Sequence, residues 1–180
     1  MKLCEQTLGM SVLAHGESVH AYYQDLRDHI LDGTSLKLEW KLPEWIKDPA
    51  LWERRLDEET LASYMVAHDC GKPFCREVDQ EGRVHFPDHA AVSAEIWRAV
   101  GGSEQEAVLM SLDMAVHTMK AEELDEFCKR PEAASLLIAG FCEIHSNAAM
   151  FGGIDSTSFK MKWKHIDRRG KQIVKSLVPA

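Results

Sequence analysis

Apolar residues recur at helical spacing along most of this chain, and the runs are punctuated by helix starts and stops. In the segment SVLAHGESVHAYYQDLRDHIL, Val12, Val19, Tyr22, Tyr23, Leu26 and Ile30 follow the 3.6-residue repeat, and Gly33 fits as the stop. Asp57 reads as the N-cap of a second helix, EETLASYMVAHD, which Gly71 and Pro73 terminate. Pro87 and Asp88 open PDHAAVSAEIWRAV, which stops at Gly101-Gly102. Ser103 and Glu106 have the spacing of a capping box at the head of EQEAVLMSLDMAVHTMK. Pro131 starts a last core helix that ends at Gly152-Gly153. Strand signals are weak, and FCREVDQEGRVHF reads as a loop. The pattern predicts an all-α bundle of roughly six or seven helices.

With 180 residues, the expectation is a single domain able to bury a real core. No apolar run reaches the ~18 residues of a membrane span. The N-terminus MKLCEQTLGM lacks the apolar stretch of a signal peptide. The five cysteines are scattered and include no Cys-x-x-Cys pair, which predicts a reducing, cytoplasmic setting and no thiolate metal site at Cys70 or Cys75. Segment 34–52, TSLKLEWKLPEWIKDPALW, is rich in tryptophan and proline. It reads as an irregular insertion with a short helix near Pro49, either a flap or a satellite core, with the core favoured. The net charge of −8 hides an asymmetry: residues 160–180 carry +6 and the rest carry −14. Such a basic segment, predicted to pack on the same domain, fits an anionic partner. Trp163 among its lysines could stack on a base. The competing reading is a solvated terminal helix.

The segment that bears on chemistry is MVAHDCGKPF, 65–74, where an imidazole, a carboxylate and an ammonium follow an apolar run. Each predicted helix adds a histidine or carboxylate: His15 on the first, His68 and Asp69 at the end of the second, His89 in the first turn of the third. His117 lies late on the fourth, and Glu143 and His145 are central on the last. Such groups converging in a helical core are how bundles build metal sites. Imidazole and carboxylate donors suit Mn, Fe, Co, Ni, Zn or Mg. His20, His29 and His165 read as ordinary surface or core histidines.

HDCGKP, with HGESV upstream and DQEGRVHFPDHAAVSAEIW and MAVHTMK downstream, resembles the HD-domain superfamily of metal-dependent phosphohydrolases. It is similar to the HD segments of some tRNA nucleotidyltransferases and RNA-end-repair enzymes. The resemblance covers roughly His15 to Phe151, within a domain of 1–159. It implies that His15, His68 and Asp69 hold one divalent cation, and that His89 and His117 help hold a second with Asp69 between them. Lys72, His85 and Lys120 would meet the substrate, with Asp69, Lys72 and His85 in catalytic roles. The family closes its site with an aspartate on the last core helix. Here Glu143 stands at that place, and Asp113 competes for the role. The implied reaction is hydrolysis of a nucleotide or RNA-end phosphate, a phosphomonoester or 2',3'-cyclic phosphodiester. Alarmone or dNTP hydrolysis, a non-hydrolytic nucleotide sensor, and a structural bundle with incidental histidines are the alternatives.

Overall fold

A computed structural model describes residues 1–7 and 9–177. The chain is mainly helical, and its residues fall into two compact units that interleave along the sequence. Unit 1 comprises residues 1–18 and 58–114, and unit 2 comprises 19–57 and 115–180. Among the described residues, no helix is long and apolar enough to cross a membrane.

Unit 1 begins with a small antiparallel hairpin, β1 (Glu5–Thr7) and β2 (Met10–Ser11), followed by the start of α1 (Val12–Asp32). It resumes with α3 (Glu58–Ala67), which begins one residue after Asp57 as its sequence suggests. Gly71 and Pro73 then turn the chain into a single 3-10 turn, Lys72–Phe74. The stretch expected to be a loop contains a second hairpin, β3 (Glu77–Val78) against β4 (Val84–His85). At two or three residues per strand, neither hairpin has room for a readable alternation of apolar and polar residues.

α4 (His89–Ala99) and α5 (Glu104–Ser111) pack together and complete unit 1. Ser103 and Glu106 do form the capping box at the head of α5. The long helix expected from Glu104 through Lys120 is interrupted: α5 ends at Ser111 and α6 covers only Ala115–Thr118. No glycine or proline marks this break. It coincides with Asp113, whose carboxylate accepts a 2.5 Å hydrogen bond from the Tyr64 hydroxyl. A tertiary bond to a buried acidic group thus accompanies a break that periodicity alone does not reveal.

Unit 2 holds the rest of α1, α2 (Pro49–Glu53), α6, α7 (Leu124–Cys128), α8 (Ala133–Met150) and α9 (Thr157–Leu177). α8 is almost wholly buried. The tryptophan-rich segment is core in this unit. Ile46, Leu51 and Trp52 are buried, and Trp45 lies where Gly170 of α9 leaves space: a Cβ there would approach its ring to 2.3 Å. Asp25 of α1 accepts from the backbone amides of Lys37 and Leu38 and from Trp40 Nε1, which pins the chain entering this segment. His145 adds a further anchor. Its Nδ1 lies 2.8 Å from the Phe141 carbonyl and its Nε2 accepts from the Lys41 amide at 3.2 Å, so the ring is a neutral structural acceptor.

The basic C-terminal segment is helix α9, and it is part of unit 2. Phe159, Ile166, Ile173, Val174 and Leu177 form its buried face. Lys160, Lys164, Arg168, Lys171 and Lys175 are all exposed. At 100° per residue they share an arc of about 80° and extend about 22 Å along the helix. Trp163 is committed elsewhere: its indole donates to the Lys41 carbonyl at 2.7 Å and carries the Lys41 ammonium 4.4 Å above the ring.

Candidate metal centre

Close backbone approach assembles the site in unit 1. Gly16 follows His15 on α1, and a Cβ at this position would lie 2.1 Å from the Val66 carbonyl oxygen of α3. Gly71 follows Asp69 by two residues, and a Cβ there would lie 2.4 Å from the Ser93 backbone nitrogen of α4. Ser93 also accepts from the Gly71 amide through its hydroxyl, at 2.9 Å. Two glycines therefore let α1 and α4 press against the end of α3. That brings His15, His68 with Asp69, and His89 to one place.

Ligand atoms from His15, His68 and Asp69 all lie within 4.8 Å of one another, and all three residues are buried. His68 Nε2 is 3.3 Å and His15 Nε2 is 3.9 Å from Asp69 Oδ2. His89 Nε2 faces the other carboxylate oxygen, Oδ1, at 3.7 Å. Two ligand atoms each ~2.1 Å from one ion stand about 3.0–3.4 Å apart at tetrahedral or octahedral angles. The His68–Asp69 spacing already has that value, and small adjustments would bring in the others.

Two of the imidazoles have their tautomer set by the backbone. His68 Nδ1 is 2.8 Å from the Met65 carbonyl and His89 Nδ1 is 3.1 Å from the Phe86 carbonyl. A carbonyl only accepts, so each Nδ1 carries hydrogen, and in the neutral ring Nε2 presents a lone pair toward Asp69. Either a proton, which makes the ring an imidazolium donating to Asp69, or a cation can bridge Nε2 to the carboxylate. This cluster can hold a metal ion, and the donor set fits one. The His89 side chain is 20% exposed, against 0–3% for the other three, so the cluster opens toward solvent on the His89 side.

The electrostatics point the same way. Burial opposes ionisation of Asp69, but His68 and Lys72 beside it outweigh that and hold its carboxyl well below the usual carboxylate range. The Lys72 ammonium donates to Asp69 Oδ2 at 2.6 Å and to Gln6 Oε1 at 2.9 Å, and it lies 5.4 Å from the Phe86 ring centre. Lys72 is thus engaged by the carboxylate itself. Asp113 supports the wall of the site: it holds Tyr64, whose ring is 6.3 Å from that of His68. Cys70 is buried, and its thiol is pushed up by burial and donates to the Ser93 carbonyl, 3.5 Å away.

Of the remaining expected residues, His85 belongs to unit 1, and His117, Glu143 and Lys120 belong to unit 2. His85 is exposed on β4, and its Nε2 is 2.8 Å from Asp79 on the same hairpin. His117 and Glu143 belong to unit 2, where His117 Nε2 stands 3.8 Å from Glu143 Oε2. Gly140 leaves room for that ring: a Cβ there would be 3.1 Å from His117 Nε2. Lys120 is exposed in unit 2. Gln6, Tyr64 and Ser93 support the site without any local sequence signal, because each acts through a partner distant in the chain. Gly16 did carry one: a glycine inside a helical pattern often marks close backbone approach.

Comparison with family models, with curated proteins and with solved structures gave no match.

Proposed function

We propose that this protein is a divalent-metal-dependent phosphohydrolase whose centre is His15, His68 and Asp69, with His89 at its open side. The observation that carries the reading is the burial of three convergent ligand groups with a carboxylate kept ionised among them. Such a cluster is expensive to bury and has no evident structural use that apolar packing would not serve better. The two-imidazole, one-carboxylate set favours Mn, Fe, Co, Ni or Zn over Mg, which prefers oxygen donors. A divalent cation bound there supplies a water of lowered pKa and polarises phosphoryl oxygens.

The chain's own groups do the rest. Lys72 brings a point positive charge beside Asp69, suited to an anionic oxygen of the substrate. Phe86 provides an apolar edge next to that charge. The substrate class that fits the resemblance is a nucleotide or RNA-end phosphate. The basic face of α9 supports a nucleic-acid partner through phosphate contacts.

The test is metal analysis of the purified protein together with a phosphate-release screen under Mn, Co, Ni and Mg. Nucleoside mono-, di- and triphosphates, 2',3'-cyclic phosphates and 3'-phosphorylated oligonucleotides are the substrates. Stoichiometric metal with release from at least one class supports the reading. No metal and no release would leave a helical protein with incidental histidines. Metal and tight nucleotide binding without release would favour a sensor.

A further inference from the structure

We infer that Lys72 competes with the metal for Asp69, and that Gln6 is the acceptor that retains Lys72 when a cation is bound. The inference rests on the metal reading above. Asp69 Oδ2 serves three neighbours: Lys72 Nζ at 2.6 Å, His68 Nε2 at 3.3 Å and His15 Nε2 at 3.9 Å. A cation held by the two imidazoles and this oxygen would lie about 2.1 Å from it. The ammonium occupies the same oxygen, among groups 7% exposed or less. Two positive charges this close in a desolvated site repel strongly, so the lysine has to yield Oδ2 as the cation enters.

A buried ammonium that loses its only acceptor is costly. Lys72 does not face that loss. Gln6 Oε1 accepts from the same Nζ at 2.9 Å, and Gln6 lies on β1, which pairs with β2. The Phe86 ring lies on the ammonium as well, 5.4 Å from its centre. These two contacts keep the charge beside the site after it leaves Asp69. Metal loading then converts Lys72 from a counter-ion of Asp69 into a donor available to a phosphate oxygen. Without metal, the same lysine neutralises the buried carboxylate.

The experiment is a double-mutant cycle on Mn(II) affinity, measured by calorimetry on wild type, Lys72→Met, Gln6→Ala and the double variant, with folding checked by circular dichroism. Lys72→Met removes the competitor and should tighten Mn(II) binding by at least about tenfold. Gln6→Ala strands the displaced ammonium and should weaken binding, on the order of tenfold for one hydrogen bond to a charged group. In the double variant the Gln6 effect should vanish, leaving the affinity of Lys72→Met. A Lys72→Met affinity equal to or weaker than wild type would overturn the competition. A Gln6→Ala loss that persists without Lys72 would overturn the role of Gln6. If Lys72→Met does not fold, Lys72→Gln carries the same expectations. A folded wild type that binds neither Mn(II) nor Co(II) removes the metal reading itself, an outcome separate from both.

Discussion

Replacing Gly16 by alanine sets two known effects against each other. Inside a helix, Gly→Ala should stabilise by about 1 kcal/mol through backbone entropy. Gly16 lies in α1, so propensity alone predicts a gain. The packing predicts a loss. A Cβ at this position would be 2.1 Å from the Val66 oxygen, 2.8 Å from the Val66 carbonyl carbon and 3.0 Å from the Met65 oxygen, all backbone atoms of α3. A tolerated carbon–oxygen contact begins near 3.3 Å, so α1 and α3 would have to part by about 1.2 Å. Forced overpacking of this kind costs about 1–3 kcal/mol, and more where backbone must move. No flexible side chain is available to absorb the strain, so the loss should exceed the gain. We expect net destabilisation of about 2 kcal/mol and a melting temperature lower by about 4–8 °C. His15 adjoins Gly16, so the same separation draws one imidazole off the cluster, and Mn(II) binding should weaken too. Urea denaturation followed by far-UV circular dichroism gives the first quantity, and calorimetry the second. A variant as stable as wild type, or more stable, would show that α1 and α3 do not meet as closely as Gly16 implies.

Three further outcomes follow from the structure. Asp69→Asn should abolish metal uptake and phosphate release. It should also cost about 3 kcal/mol of stability by leaving the buried Lys72 ammonium without its counter-charge, and urea titration should show most of that restored in Asp69→Asn/Lys72→Met. Burial holds His145 down to about 4, partly offset by the bond from its Nδ1 to the Phe141 carbonyl, whereas the unfolded ring titrates near 6.5. The unfolded chain therefore takes up the proton first. The contribution is whole above pH 6.5 and lost as pH falls to 4, roughly 3 kcal/mol in all, and His145→Gln should remove that part of the stability difference between pH 7 and pH 4.5. For α9, exchanging Lys164, Arg168 and Lys175 for glutamine should weaken oligonucleotide binding and flatten its dependence on log salt by about 2, at roughly 0.7 per phosphate contact, while mononucleotide hydrolysis holds; equal losses on both would tie the helix to catalysis.

How far the sequence reveals this arrangement depends on the range of the interaction involved. Caps, stops and apolar stripes are local, so the capping box of α5, the short helix after Asp48 and the glycine stops could all be read from a few residues. His68 and Asp69 are adjacent, and their position at a helix end is equally local. His15 needed the resemblance or the structure, since Gly16 beside it hints at close packing but no nearby residue names Val66 as the partner. The break at residues 112–114 was illegible because its evident partner, Tyr64, is 49 positions from Asp113. Trp163 also has a partner distant in the chain. Its indole donates to the Lys41 backbone, 122 positions away, a bond that no neighbouring residue signals. Lys72 is intermediate. The i,i+3 spacing from Asp69 was visible and permits an ion pair, but the resemblance drew attention to phosphate instead.

The same distinction bears on which group completes the metal set. Asp113 was one candidate, but its carboxylate is held by Tyr64 at 2.5 Å. Giving up that bond to a charged acceptor costs about 1.5–3 kcal/mol and removes support from the ring beside His68. Glu143 was the other candidate. It lies in unit 2 beside His117 at 3.8 Å, a spacing that can itself be bridged by a proton or a cation. Within unit 1, His89 is the readiest additional donor. Its tautomer is fixed by Phe86, its Nε2 faces the second oxygen of Asp69, and its side of the cluster is the exposed one. A cation taking up Asp69 Oδ2 within such a set would have to displace the Lys72 ammonium from that oxygen. That makes the lysine, more than a missing carboxylate, the element on which metal loading turns.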